Sequence, residues 1–426
     1  MKRLRILIFC VMVLGYASIS WAQPDPNKVS LKTLIEEALE KNPDLKSVKE
    51  SWQAAKRRIA QSSALPDPMA GYSIMGPDLE TRLGPQEEIY EFEQEIPFPG
   101  KLVEKRNIAK AEGRMAETRV RLTERELIFK VSQTYYELFA VERTIKILEE
   151  VKDLLLKLES ITQARYASQQ GSQRDVAKTQ SEVSEVLERL FVLRQQKETL
   201  QAYLKSLLNR DTDTHLEVVE ELSLPALSVS LDELLVQLKQ TSPEYLEALA
   251  LQERESFMKN LAQYENAPDF KVGFQYYRIG EGMTTDPDDG RDAWMIPIKV
   301  SLPLWQNRIG SAIEEAQRNL KAAQAKLKGI ENTTEYELKN AYYQFVSQKQ
   351  IVELYQNAFI PQADLALRSD QAGYEAGKIE IINFIDSERV YLNAKIAYYQ
   401  ALAEALKSFA GIEKILGKDL DQGGRL

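Results

Sequence analysis

The chain is written twice, and that repetition limits its fold more than any other feature. Leu31-Lys-Thr-Leu-Ile-Glu-Glu-Ala-Leu, followed by Asn42-Pro43-Asp44-Leu45, corresponds to Leu231-Asp-Glu-Leu-Leu, followed by Ser242-Pro243-Glu244-Tyr245. Leu65-Pro66-Asp67-Pro68 corresponds to Ala267-Pro268-Asp269-Phe270, and Ile96-Pro97-Phe98-Pro99 to Leu302-Pro303-Leu304-Trp305. Tyr135-Tyr136 recurs as Tyr342-Tyr343, and Tyr166 to Gln180 as Tyr374 to Glu388. Landmarks in one order across both halves indicate duplication. The boundaries that follow are repeats at 23–210 and 230–417, a linker at 211–229 and a mobile tail at 418–426.

Each half follows one plan: a short helix, a Pro, a longer helix, two extended stretches, then two very long helices around a tight turn. The predicted long helices include 101–164 and 309–371, with Pro361 the only interior proline and a candidate kink. About 60 residues at 1.5 Å each give a rod of roughly 90 Å, which a compact globule cannot use. Val183, Val186, Leu190, Leu193, Leu200, Leu204 and Leu207 alternate steps of three and four, with Lys197 interrupting. Leu138, Val141, Ile145, Leu148 and Leu155 form a matching seam interrupted by Lys152. Such seams pack helix on helix.

Composition narrows the chemistry. The 426 residues contain one His and one Cys, so sites built on His/Cys clusters are not available. His215 falls in the linker and reads as solvated. A net charge of −9 argues against a nucleic-acid partner. Residues 1–22 read as a signal peptide: Lys2, Arg3 and Arg5 precede the apolar Ile6 to Tyr16, and Ser20 and Ala22 suit cleavage before Gln23. Cys10 leaves with that segment. No later segment is apolar for long enough to make a transmembrane helix.

Period-two alternation marks four strands. Pro68, Ala70, Tyr72 and Ile74 form one apolar face; Tyr90, Phe92 and Ile96 another, diluted by Gln94. Phe270, Val272, Phe274 and Tyr276 form the third, and Trp294, Ile296, Ile298, Val300 and Leu302 the fourth. Each strand has the length that a tilted strand needs to cross a bilayer. The segments 76–87 and 278–292 read as exposed loops, and the long helices leave from the opposite ends. Tyr72, Tyr90, Tyr276 and Trp294 are candidate interfacial aromatics. Four strands cannot enclose a lumen, and an open sheet edge is forbidden in lipid. Membrane-crossing strands would therefore require several chains to share one barrel, with Glu91, Glu93, Glu95, Lys271 and Lys299 on its water-filled inside. The alternative is an exported coiled-coil scaffold or adhesin-like protein with small soluble sheets and no pore. An enzyme built on Asp67 and Asp269 ranks lowest, because those residues begin matching strands in the two halves.

With these landmarks in order, the chain resembles the TolC-type outer-membrane efflux proteins over essentially its whole length after the signal. The resemblance rests on the Pro-rich corners at 96–101 and 302–307 and on the turns at 165–180 and 373–386. It implies a mainly α protein with transmembrane β structure. Duplicated helical hairpins would form a periplasmic α-barrel, and four strands per chain a trimeric outer-membrane β-barrel. It further implies a passive, non-enzymatic duct without cofactors in the outer membrane. Its partners would be a periplasmic adaptor and an inner-membrane pump, such as one of the resistance-nodulation-division type. The run Gly171-Ser-Gln-Arg-Asp175-Val looks most like the heavy-metal cation branch, which implies metal cations as the exported solutes, with drugs or other small molecules as the alternative. By position, the family's aperture lock falls on Tyr374 and Asp175, and its aperture ring on Asn383 and Asp386. Asn383 stands where the family has Asp.

Overall fold

A computed structural model describes residues 28–76, 80–211, 217–218, 221–282 and 287–420. The expected signal segment, with Cys10, and His215 lie outside the described residues. The first repeat comprises β1 (Lys28–Val29), α1 (Leu31–Lys41), α2 (Pro43–Ser62), β2 (Met69–Ile74), β3 (Glu80–Thr81), β4 (Gly84–Ile96), α3 (Pro99–Ala167) and α4 (Gln173–Leu208). After β5 (Glu217–Val218) the second comprises α5 (Leu231–Thr241), α6 (Pro243–Gln263), β6 (Phe270–Ile279), β7 (Ala293–Met295), β8 (Ile298–Val300), α7 (Gln306–Leu354), α8 (Ile360–Glu375) and α9 (Ile381–Leu416). The short helices are opened by polar caps: Ser30 accepts from Thr33 N–H, Asn42 from Leu45 N–H, and Ser230 from Glu233 N–H.

α3 runs for 69 residues, roughly 100 Å, with a proline only in its first turn. Its counterpart is divided. Between the 49 residues of α7 and the 16 of α8, residues Tyr355–Phe359 form one π-helical turn. Pro361 follows directly: it has no N–H to donate and its ring crowds the carbonyl four residues back. The widened turn takes up that clash, so the rod continues instead of breaking. α4 and α9 have 36 residues each, so both hairpin turns reach the same depth.

The helical core falls into three apolar clusters. One gathers α1, α3, α4 and α9 around Leu34, Leu138, Leu204 and Leu406. A second, near the turns, joins Leu148, Leu155, Val183, Val186, Leu190, Phe384, Ile385 and Leu392. The third joins Leu234, Leu338, Phe345 and Leu416. Both predicted seams are used, and the interrupting Lys197 pairs with Glu142 of α3 at 2.9 Å.

Both the linker and the start of the tail are tied to the helical core. Leu222, Leu224, Leu227 and Val229 of the linker pack on the helical core, and β5 pairs in parallel with β1. Residues 418–420, assigned to a mobile tail, are anchored: Asp419 pairs with Arg125 at 2.6 Å, and Leu420 N–H donates to Glu413.

The sheet runs β2–β4–β6, with β7 and β8 sharing the far side of β6, all antiparallel. β4 begins six residues before Tyr90, and β6 ends at Ile279, so the predicted loops partly belong to the sheet. The expected continuous strand 294–302 is interrupted at Ile296–Pro297, because proline offers no ladder donor. Pro297 still contributes its carbonyl, which accepts from Gly273 N–H at 2.9 Å.

Candidate functional site

The sheet presents two opposite chemistries. Tyr72, Tyr90, Tyr276 and Trp294 stand in register as one aromatic row across all strands. Adjacent rings lie 5.2 Å (Tyr72–Tyr90) and 6.4 Å (Tyr90–Tyr276) apart. Their hydroxyls point to a polar rim: Tyr72 donates to Glu88 at 3.2 Å, Tyr90 to Glu88 at 2.8 Å, and Tyr276 to Asp292. Below that row, Phe92, Phe274, Val272, Ile298, Phe270 and Val300 remain exposed, Ile298 at 69%. Gln94 interrupts the band, but its amide donates to the carbonyls of Pro66 and Glu95. From Tyr90 to Ile96 the strand advances about 20 Å. This approaches the height of the apolar band of a membrane barrel. At the strand-to-helix corner Leu304 and Trp305 are more than 70% exposed.

The other face carries every charged residue predicted there. Glu93 is buried between Lys271 (3.5 Å) and Lys299, and Lys271 also reaches Glu95 at 3.3 Å. Glu91 accepts from Gln275 at 2.8 Å. Gly273 stands opposite Glu93. A Cβ on it would meet Pro297 at 2.9 Å, so only glycine lets the fourth strand approach this closely.

Asp269 closes the corner below. Its Oδ1 accepts from Phe98 N–H and its Oδ2 from Lys101 Nζ, both at 2.8 Å. That carboxylate ties the second repeat's strand to the first repeat's long helix. Asp67, by contrast, is exposed, so the two residues stand in different surroundings.

At the far end the two turns meet. The residues after α3 and α8 repeat one conformation: Gln169 (φ 59°) and Gly377 (φ 71°) hold equivalent left-handed positions. Tyr374 is buried, its ring stacked on Phe384 at 6.1 Å and covered by the Arg165 guanidinium at 4.6 Å. Burial raises the pKa of its phenol above the ordinary value; Arg165 opposes that and the Asp175 charge adds to it. The expected direct Tyr374–Asp175 contact is not formed. Asp175 is the third residue of α4, and its carboxylate accepts from Ser172 N–H at 3.3 Å while Ser172 Oγ accepts from Asp175 N–H. This capping box claims the carboxylate, and Arg165 faces the Tyr374 ring.

Asn383 and Asp386 are both exposed, one helical turn apart on α9. Asp386 lies 3.9 Å from Arg389, which donates to Glu182 of α4 at 2.6 Å. Lys178 reaches the same Glu182 oxygen at 2.7 Å. Glu182, Glu388 and Arg389 were not singled out from the sequence. A signal existed: Ile381, Ile385 and Leu392 keep seam spacing, and Glu388 fills the seam position among them.

The chain thus joins a sheet apolar on one face and ion-paired on the other to helices about 100 Å long. The pattern of the family described as "Outer membrane efflux protein" matches residues 34–210 and 234–418. The chain belongs to that family. The "Cobalt-zinc-cadmium resistance protein CzcC" of Cupriavidus metallidurans is 24% identical over 186 residues, which cover 44% of this chain and 43% of that relative's length. Among solved structures, the outer membrane protein VceC of Vibrio cholerae superposes with a TM-score of 0.76 at 18% identity. That match covers 92% of this chain and 97% of VceC. The open-state MtrE outer membrane channel of Neisseria gonorrhoeae superposes with 0.73 at 16% identity, covering 96% and 98%. The predicted mainly α fold with a small strand domain is that of these channels.

Proposed function

We propose that this chain is the outer-membrane subunit of a tripartite efflux system, a passive duct completed by three copies. The observation that carries this reading is the sheet. Its apolar face is exposed along β2, β4, β6, β7 and β8, and among the described residues it ends in two unpaired edges, at β2 and at β7 with β8. In lipid such edges are intolerable unless other copies pair with them, and three copies would close a barrel of roughly twelve strands. The repeats 23–210 and 230–417 would each supply one helical hairpin to the periplasmic tunnel. Residues 1–22 would be removed on export.

The tunnel tip is the aperture in this reading. Arg165, Tyr374 and Asp175 would hold the two turns together, and Asp386 from each copy would ring the pore. Three carboxylates around a narrow opening favour cations over anions. The adaptor and an inner-membrane pump of the resistance-nodulation-division type would engage this end. The likeness to CzcC supports metal cations as the exported cargo.

Native mass spectrometry of detergent-extracted protein and planar-bilayer conductance test the reading together. Trimers with small, cation-preferring steps are expected. Monomers that neither insert nor conduct would overturn it.

A further inference from the structure

Near the turns, α4 of one hairpin and α9 of the other both pack on α3, and long polar side chains bridge the two. Arg389 of α9 donates to Glu182 of α4 at 2.6 Å, and lies 4.0 Å from Glu185. Glu182 is 7% exposed and shared with Lys178. Beside Arg389 sits Glu388, 5% exposed, whose Oε1 has no hydrogen-bond partner. Apolar side chains of α3, α4, α8 and α9 form the surrounding cluster, among them Leu155, Val183, Val186, Tyr374, Phe384 and Leu392. A carboxylate buried without a donor is costly as an anion and inexpensive as an acid.

We propose that Glu388 is a proton-operated latch between the two hairpins. Protonated, it keeps the bridge between α9 and α4 seated, with Arg389 on Glu182. Ionised, it places a second carboxylate next to Glu182 in an apolar setting and loosens that seat. The proposal rests on the conduit reading only in identifying this seat with the aperture.

The surrounding charges fix the direction. Burial, then the Glu182 charge, push Glu388 up to about 7, and Arg389 and Arg189 pull back only partly. Glu185 and Lys178 of α4 are engaged with Arg389 and Glu182, and Asp386 of α9 lies beside Arg389. Asp370 of α8 accepts from Ser387. On α3, Glu159 accepts from Gln180, and the Glu150 charge reaches Tyr391.

A group whose pKa is raised in the seated form binds its proton there first. Between its ordinary value of 4.5 and about 7, the seated form holds more protons than the loosened one. Acidification within that window favours the seat, by up to about tenfold per pH unit. Raising the pH through 7 removes the whole of that preference. Glu182 titrates in the opposite sense, but Lys178 and Arg389 hold it below 4.5 against burial. Its contribution is lost only under more acidic conditions, leaving the window to Glu388.

The test measures the distance between the turns. The sole cysteine, Cys10, lies in the expected signal segment, so Gln170→Cys and Lys378→Cys place spin labels at two exposed turn positions. Labelled protein is diluted with unlabelled copies, and pulsed EPR distances are taken at pH 5.5 and pH 8.5. A single short distance at the lower pH and an added longer population at the higher pH are expected. Glu388→Gln, and separately Glu388→Met, should hold the short distance at both.

A parent distribution that ignores pH, or an equal pH response in both Glu388 variants, would overturn the latch. Conductance of the same samples separates the two readings. A pore with pH-independent distances rejects the latch alone, whereas a pH-dependent distance without conductance rejects the conduit and leaves the latch standing.

Discussion

Asp175 and Asn383 occupy one place in the two repeats, three residues into the helix that follows each turn. In the first, Ser172 is the N-cap, and Asp175 completes a capping box. In the second the N-cap is Glu380, whose side chain makes no such bond, and position 383 is freed from capping. An Asn there forfeits no capping bond. Asp175→Ala should cost about 1 kcal/mol of local helix stability. It should also raise resting conductance, because the first turn of α4 frays beside Tyr374; faster amide exchange at 173–178 checks the cause. Tyr374→Ala should open the tip further, since it empties the space between Arg165 and Phe384. Unchanged conductance in both variants would remove the lock from this cluster. Asp386→Asn should lower cation over anion permeability a few-fold, read as a smaller reversal potential in a salt gradient.

At the scale of elements, the Pro-rich corners decide where sheet becomes rod. Asp269 joins β6 to the start of α3 by capturing both Phe98 N–H and the Lys101 ammonium, whose side chain is 9% exposed. Asp269→Ala strands that ammonium in a nearly buried site, at a cost on the order of 3 kcal/mol. A lower unfolding temperature in detergent checks it, and Lys101→Met in the same background should recover part of the loss. The π turn shows the same economy. Pro361 is tolerated because one widened turn absorbs it, and α8 still delivers Tyr374 to the tip. The sequence pointed to a kink there; the choice of a π turn over a break depended on neighbouring helices holding both segments in line.

For the molecule as a whole, charge is arranged differently at its two ends. On the inner face of the sheet, Glu93 and Glu95 are matched by Lys271 and Lys299, and Glu91 is held by the neutral Gln275, so each copy would bring one net negative charge to a wide barrel, where its field is weak. At the tip, Asp386 is exposed and only loosely balanced by Arg389 at 3.9 Å. Selectivity should therefore reside at the tip. Glu93→Gln, which unbalances the two lysines, should shift reversal potential much less than Asp386→Asn. An equal or larger shift would relocate the filter to the barrel.

The repeated landmarks, the seam spacing and the strand alternation are local patterns, and they alone determined the two-fold plan, the long rods and the two-faced strands. Their legibility has a physical cause: periods of 3.6 and 2 follow from backbone geometry and survive any tertiary arrangement. Long-range partners leave no such trace. Tyr166 and Tyr374 are equivalent in sequence, yet Tyr166 is exposed and Tyr374 buried under Arg165, because the two hairpins meet the rest of the chain differently. Asp175 was legible as a tip residue, but its carboxylate's choice of Ser172 N–H was settled by capping geometry. Glu388 sits in a run of seam residues as an unremarked acid, and only the packing of both α4 and α9 on α3 brings it within reach of the Glu182 charge. Burial belongs to the assembled helices, not to the residue, and so the tertiary structure alone decided which carboxylates near the turns stay exposed, as Asp386 does, and which are locked inside, as Glu182 and Glu388 are.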